Sequence, residues 1–265
     1  MEPIYERPGD YDLEHEGDHE DVRFYLDLVS SLRPRRVLEL AAGSGRVTIP
    51  LAQLAARNGF NIVGLERSEA MLDAAEQKLR ALSAFERRCV AFVQGDLREW
   101  PTSEPFDLIL VPCSSLSHLL TLEDQVAAWT RAHDNLAVGG RFVVDLTMPS
   151  LGVYADSMQT PPRTLLEIDI DTRDPVTGGR LLRYKTTHYL PHEQRASIRF
   201  VYDKFPDSTQ VHRYVSDFDC HVYYPREVEL LFLLTGFDVE SRVGDYYGRP
   251  LRRTSRQMIV TGVRR

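Results

Sequence analysis

Three carboxylate residues lie at or next to the ends of short apolar segments in the first part of the chain. Glu39 lies within Val37–Leu40, Glu66 ends a second apolar segment, and Asp96 follows a third. Such segments are typical of buried parallel strands, whose ligands bind beyond the carboxyl ends. A carboxylate at a strand end can accept hydrogen bonds from both ribose hydroxyls, which is the role we expect for Glu66. The pattern therefore indicates a nucleoside-containing ligand.

The turn after Glu39 decides which nucleotide is expected. Residues 41–45 have only small side chains, so the backbone can turn sharply and a ligand can approach it closely. A dinucleotide-binding turn needs a third glycine where this chain has Thr48, and the Gly-Lys-Ser/Thr of a phosphate loop is absent. Glu39, next to the turn, suits a cationic ligand better than a pyrophosphate.

The segment Val-Leu-Glu-Leu-Ala-Ala-Gly-Ser-Gly resembles the first motif of the class I S-adenosylmethionine (SAM) dependent methyltransferases, with Ala41 replacing the first glycine. The resemblance implies that SAM is the cofactor, S-adenosylhomocysteine the product, and that no metal is used. It implies that Glu39 faces the methionine amino group and that Asp96 and Leu97 contact the adenine. The full set of expected cofactor-binding residues is Glu39, Ala41, Gly43, Gly45, Glu66, Arg67, Met71, Asp96, Leu97 and Pro112. For Met71, ordinary core packing is the alternative.

The exit of the fourth predicted strand faces the reaction centre in this family. The chain has Val-Pro-Cys-Ser here, unlike the Asp/Asn-Pro-Pro-Tyr/Phe of enzymes that methylate base amines, so that class is disfavoured. His118, in the same segment, is a candidate base, or a histidine that packs on the next helix. Tyr11 is a second candidate, in an N-terminal segment that either closes over the ligands or is an acidic tail.

The order of the predicted elements indicates an α/β fold. Strands and helices alternate up to residue 147, with Val138–Arg141 as the turn into strand five, and this alternation implies a parallel sheet. We predict a Rossmann-like, seven-stranded, mostly parallel sheet with helices on both faces, a closing antiparallel hairpin and an antiparallel insertion after strand five. The insertion resembles that of sugar N-methyltransferases. The predicted domains are 1–34 (lid segment and helix), 35–150 (SAM-binding core), 151–223 (insertion covering the substrate) and 224–265 (last helix and strands).

Composition and charge narrow the possible partners. The chain has 265 residues, a net charge of −7 and 43% hydrophobic residues, which is ordinary for a globular protein. Nine carboxylates between Glu2 and Asp21 face one arginine, and the rest of the chain is close to neutral, which weighs against a nucleic-acid substrate. No apolar segment approaches the ~20 residues of a membrane span. We expect a cytoplasmic monomer or homodimer without a secretory leader.

The function predicted from the sequence is transfer of a methyl group from SAM to a nitrogen or oxygen atom of a small molecule. We expect the acceptor between the Cys113–His118 loop, the segment around Tyr11 and the strand insertion, because the cofactor takes the ends of strands one to three. Two alternatives stay open. One is a catalytically silent SAM-binding regulatory protein, and the other is a nucleotide-dependent oxidoreductase, which the missing third glycine disfavours.

Overall fold

The computed structural model describes residues 3–17, 19–100, 104–206 and 209–265. The chain forms two compact units. The first unit combines the residues before His19 with residues 149–222, and the second combines residues 19–148 with 223–265.

The second unit contains a sheet that has seven strands within the described residues, in the order β10-β11-β5-β4-β1-β2-β3. Its strands are β1 (Arg36–Leu40), β2 (Asn61–Glu66), β3 (Val90–Gln94), β4 (Phe106–Val111), β5 (Leu136–Thr147), β10 (Phe237–Val243) and β11 (Gln257–Arg264). Its helices are α2 (Glu20–Leu32), α3 (Thr48–Asn58), α4 (Glu69–Arg80), α5 (Ala84–Arg87), α6 (Leu122–Asp134) and α8 (Pro225–Leu234).

Strands β1 to β5 are parallel, and β11 runs antiparallel to both of its neighbours, β5 and β10. The predicted parallel sheet and closing hairpin are therefore confirmed. Strand β1 lies between β2 and β4, so the strand order reverses direction beside it. In open α/β sheets, ligands bind at the carboxyl edge next to such a reversal.

Two apolar clusters cover the two faces of this sheet, because successive side chains of a strand point to opposite faces. On β1, Leu38 and Leu40 pack in one cluster with Trp129 and Phe142, and Val37 packs in the other. The second cluster includes residues of α2 and α3. The strands are thus packed on both faces, and this packing fixes the position of the residues at their carboxyl ends.

Strand β5 differs from the sequence prediction. The expected turn Val138–Arg141 lies inside a strand that runs from Leu136 to Thr147, and the expectation of a turn is wrong. The register against β4 shifts here: Phe106 pairs with Leu136, but Leu108 pairs with Arg141. Gly139 has a φ of +78°, a conformation that glycine adopts without penalty. The paired glycines therefore form an irregularity within the strand, as in a β-bulge.

The first unit is built on an antiparallel sheet in the order β6-β7-β8-β9, and the predicted insertion is confirmed. Its strands are β6 (Glu167–Arg173), β7 (Arg180–Leu190), β8 (Arg195–Phe205) and β9 (His212–His221), and its helices are α1 (Pro8–Glu14) and α7 (Leu151–Ser157). Ile4, Leu181 and Tyr202 form a small core, with Tyr5 and Tyr11 packed against it. In the part of the chain that the structure describes, no helix is long and apolar enough to cross a membrane.

Candidate active site

Glu39 is a buried acid beneath the turn that follows β1. Only 2% of Glu39 is exposed. The Thr48 hydroxyl, at the start of α3, donates a hydrogen bond to Glu39 Oε2 at 2.5 Å. Burial raises the pKa of Glu39 to about 8, although the Thr48 hydrogen bond and the Arg46 charge act in the opposite direction. A cationic group placed against this carboxyl group would favour its ionised form. The site therefore fits the ammonium of an amino acid.

The turn between β1 and α3 is stabilised by Glu66 at the end of β2. Ala41, Gly43 and Gly45 all have positive φ values, of +56°, +56° and +81°. Ala41 therefore carries a methyl group where glycine would be free of strain, so the substitution seen in the sequence has a conformational cost. Gly43 donates its N–H to Glu66 Oε2 at 2.9 Å, which joins the ends of β1 and β2.

Glu66 also accepts hydrogen bonds at the start of the next helix. The backbone N–H groups of Arg67 and Ser68 each donate to Oε1 at 2.8 Å. Ser68 in turn caps α4 through Met71, which is buried within the unit. Three backbone donors thus fix the carboxylate at the carboxyl edge, and about one lone-pair site, on Oε2, remains to accept a hydrogen bond from a hydroxyl group.

The third acidic residue, Asp96, is held by Arg98. The guanidinium donates to Oδ1 at 2.7 Å and to Oδ2 at 2.9 Å, and Arg98 also donates to Asp124 at 2.8 Å. The hydrogen bonds and charge of Arg98 hold the pKa of Asp96 below its usual value, against a smaller effect of burial. The Arg67 guanidinium lies 4.0 Å from Asp96, and Leu97 packs against the apolar cluster that contains Leu38. The structure therefore brings the residues expected at the ends of β2 and β3 together.

Arg46 forms a link that the sequence did not predict. It follows the glycine turn directly, and its guanidinium donates to both carboxylate oxygens of Asp21 in α2. The same guanidinium donates to Cys113 Sγ at 2.8 Å. Burial raises the pKa of Asp21, but hydrogen bonds and charge from Arg46 outweigh it and lower the pKa below its usual value. Arg46 therefore ties α2 and the exit of β4 to the turn expected to bind the cofactor.

The exit of β4 has an unusual backbone. Pro112 is buried, and both Cys113 and Ser114 adopt left-handed conformations with φ of +57°. Such conformations cost roughly 1–2 kcal/mol for each residue other than glycine. His118 lies just beyond, partly exposed, in the short 3₁₀ helix Ser115–His118.

Asp145, near the end of β5, is a second site residue that we did not predict from the sequence. Only 1% of this residue is exposed, and its Oδ2 accepts hydrogen bonds from the hydroxyls of Tyr246 at 2.8 Å and Tyr25 at 3.2 Å. Burial raises the pKa of Asp145 to about 6, while the two tyrosine hydrogen bonds lower it. One signal was available: an aspartate inside the otherwise apolar segment Phe142–Leu146.

Tyr11 lies in α1 of the first unit. Its ring is 4.5 Å from that of His15 and 6.4 Å from that of Tyr5. Tyr11 packs against the small core of the first unit, and its role in the reaction stays a prediction. Among the described residues, no group of three or more His, Cys, Asp or Glu side chains is arranged to hold a metal ion.

The chain is similar to known methyltransferases in part of its sequence. Residues 37–140 match the family model of the methyltransferase domain. The chain is 36% identical over 121 residues to the protein-L-isoaspartate O-methyltransferase of Methylorubrum populi, which covers 45% of this chain and 49% of that protein. The chain thus spans less than half the length of the curated relatives it matches.

Solved structures match over nearly the whole chain. The CcbJ methyltransferase from Streptomyces caelestis has a TM-score of 0.74 at 23% identity and covers 94% of this chain and 98% of its own. SAM-bound CalS10, an amino pentose methyltransferase from Micromonospora echinaspora, has a TM-score of 0.70 at 19% identity and covers 96% and 95%. At these identities the likeness establishes the fold.

The chain therefore has the fold of the class I SAM-dependent methyltransferases, and its residues 37–140 match the methyltransferase domain model. The resemblance predicted from the first motif is confirmed, and SAM is the cofactor of this class. The individual residue roles stay predictions.

Proposed function

We propose that this protein transfers the methyl group of SAM to a nitrogen or oxygen atom of a small molecule. The observation that carries the proposal is the buried Glu39 beneath a tight turn, next to Glu66 on the neighbouring strand. Glu39 would hold the methionine amino group, Glu66 the ribose hydroxyls, and Asp96 with Leu97 the adenine. Met71, Arg67 and Pro112 would complete the contacts around these groups.

Because the cofactor would occupy the ends of β1, β2 and β3, the acceptor would bind at the ends of β4 and β5 in the second unit. When bound, SAM supplies a methyl group that its sulfonium already activates. The protein has to orient the acceptor atom in line with the methyl group. It also has to take up the proton that the acceptor atom loses on methylation. His118 is the proposed proton acceptor, because it follows the exit of β4 directly.

An amine is the first acceptor class to test. The carboxylates Asp21, Glu39 and Asp145 lie at this edge of the sheet, with Arg46 as their neighbouring cation, and this balance favours an acceptor that is not anionic. The structural similarity to CalS10, an amino pentose methyltransferase, supports starting with amino sugars.

The decisive assay supplies methyl-labelled SAM and a panel of amine and hydroxyl metabolites, with amino sugars first. We expect S-adenosylhomocysteine to form only when an acceptor is present, in equal amount with methylated product. SAM binding without transfer to any member of a broad panel would instead support the catalytically silent alternative.

His118→Ala tests the proposed base in the same assay. We expect kcat to fall about 10²–10⁴-fold, the usual contribution of acid–base catalysis, with the Kd for SAM unchanged. His192→Ala is the matched control, because His192 is an exposed histidine of the first unit. Full activity of the His118 variant, corrected for the folded fraction, would remove His118 from the mechanism.

A further inference from the structure

Arg98 connects the end of β3 with the start of α6. Its guanidinium Nε and Nη2 donate to the two carboxylate oxygens of Asp96 at 2.7 and 2.9 Å, and its Nη1 donates to Asp124 Oδ1 at 2.8 Å. Asp124 lies in the first turn of α6, where its backbone N–H donates to the Thr121 hydroxyl. Two carboxylates thus hold the guanidinium in one orientation, with each of its three nitrogens donating a charge-assisted hydrogen bond.

The hydrogen bonds from Arg98 leave one free position on the Asp96 carboxylate. Oδ1 accepts from the backbone N–H of Arg98 at 3.0 Å and from its Nε. Among the described residues, Oδ2 accepts from Nη2 alone, since the Arg67 guanidinium at 4.0 Å is beyond hydrogen-bond distance. A carboxylate has about four lone-pair sites, so one site, on Oδ2, stays available. The Asp96 side chain is 27% exposed, so a ligand can reach the carboxylate.

The ionisation of Asp96 decides which purine base fits this position. The side-chain hydrogen bonds from Arg98 are the main reason why the pKa of Asp96 lies below its usual value, so the group is ionised at neutral pH. An ionised carboxylate accepts hydrogen bonds and donates none. The 6-amino group of adenine can donate to Oδ2, whereas the 6-oxo group of hypoxanthine would bring two acceptors together. The free lone pair therefore distinguishes the two bases.

We propose that Arg98 is a positioning residue for the cofactor: it holds Asp96 with one lone pair of Oδ2 open to the adenine amino group, and thereby makes the site select a 6-amino purine over a 6-oxo purine. This inference rests on the proposed function, which places the adenine of SAM at Asp96. Lysine at this position would keep the positive charge but lose the planar fork of donors that orients the carboxylate.

The test compares the binding of S-adenosylhomocysteine and of S-inosylhomocysteine, its 6-oxo analogue, by calorimetry. In the wild-type protein we expect S-adenosylhomocysteine to bind about 10- to 100-fold more tightly, the scale of one charge-assisted hydrogen bond. Arg98→Lys should lower this ratio about tenfold, because Asp96 loses the fork that orients it. Asp124→Asn should lower the ratio less, since it weakens only one of the two anchors of the guanidinium.

Arg141→Lys is the matched control for the loss of a bidentate pair. Arg141 donates through Nε and Nη2 to the two carboxylate oxygens of Glu240, both at 2.7 Å, and the two side chains are exposed to an extent similar to that of Arg98 and Asp96. This pair joins β5 and β10 of the same unit, away from the end of β3. We expect Arg141→Lys to keep the wild-type ratio of the two affinities.

A purely structural Arg98 would give a different result. Arg98→Lys would then lower the melting temperature and weaken the binding of both ligands by the same factor, or of neither. An unchanged ratio of the two affinities in a folded Arg98→Lys variant would overturn the inference.

Asp96→Asn separates failure of this inference from failure of the proposed function. Its amide can donate to a 6-oxo group, so the ratio should fall in this variant if adenine lies at Asp96. A ratio that falls in Asp96→Asn but not in Arg98→Lys would keep the adenine contact and remove the role of Arg98. A wild-type ratio near one, or no binding of S-adenosylhomocysteine, would refute the adenine contact and the inference together.

Discussion

Glu39 predicts that SAM binding depends on pH. In the free protein its carboxyl group is mostly protonated at pH 7, because burial raises its pKa to about 8. An ammonium ligand binds the ionised form, so binding should release a proton, and affinity should rise up to about tenfold per pH unit between pH 6 and 7.5. The rise should end near pH 8, where an α-amino group loses its own proton at an ordinary pKa of about 7.7–8.0.

Calorimetry in two buffers of different ionisation enthalpy measures this proton release directly. Glu39→Gln should bind SAM more weakly and without the pH dependence, whereas Glu76→Gln, a change at an exposed helix position, should behave as the wild type. An affinity that is constant from pH 6 to 7.5 in the wild type would rule out an ammonium contact at Glu39.

Glu66 has two roles that a pair of substitutions separates. Glu66→Ala should cost roughly 2–4 kcal/mol of SAM binding, because charge-assisted hydrogen bonds contribute about 1.5–3 kcal/mol each and do not add fully. It also removes the acceptor of Gly43, Arg67 and Ser68, so some stability should be lost. Glu66→Gln keeps an acceptor oxygen and should lose less of both. Unaltered SAM affinity in a folded Glu66→Ala variant, measured by calorimetry, would refute the ribose contact.

Two ion pairs with buried carboxylates hold helix α1 on the sheet of the first unit. Asp10 accepts from Lys204 at 2.5 Å and from Tyr214 at 3.0 Å, and Glu14, one helical turn later, accepts from Arg183 at 2.6 Å. The Glu14 side chain is only 2% exposed, and burial raises its pKa even though Arg183 lowers it. Asp10 and Glu14 thus give α1 an acidic face toward β7, β8 and β9.

Arg183→Met would leave Glu14 buried and unpaired, and we expect a loss of about 3–5 kcal/mol in the free energy of unfolding of this unit. The double variant Glu14→Met with Arg183→Met should recover most of that loss, since a well-packed apolar pair replaces the ions. Urea unfolding, monitored by hydrogen–deuterium exchange of the amides in β7 and β8, measures the free energy of unfolding of the single and the double variant. A double variant as unstable as the single one would show that packing, rather than the unpaired charge, causes the loss.

The helices and strands follow the sequence more closely than the site does. The sequence predicted the end of β2 at Glu66, where the structure has it, because the strand is a short apolar segment that ends in a carboxylate. Helix α1 was not predicted, because Pro8-Gly9 at its start is typical of a turn, whereas proline is tolerated in the first turn of a helix. The contacts of Asp145 and of Arg46 with Asp21 join distant positions, and no spacing rule within a strand or helix predicts such pairs.

The whole molecule combines the second unit, which contains the residues that match the methyltransferase domain model, with the first unit, which is built from two distant parts of the chain. Residues before His19 and residues 149–222 form the first unit together, with Ile4 and Leu181 in one small core. The negative charge is concentrated in the N-terminal segment, and there Asp10 and Glu14 are neutralised by partners from the sheet. The charge pattern that weighs against a nucleic-acid substrate is therefore partly a structural feature of the first unit.

Titration of the purified protein with SAM, S-adenosylhomocysteine and NAD(H), followed by calorimetry, tests the central claim most directly. Thr48 at the position of the third dinucleotide glycine and the buried Glu39 both favour SAM. We predict that SAM and S-adenosylhomocysteine bind with one site per chain and that NAD(H) binds much more weakly. Tight NAD binding without SAM binding would contradict the account.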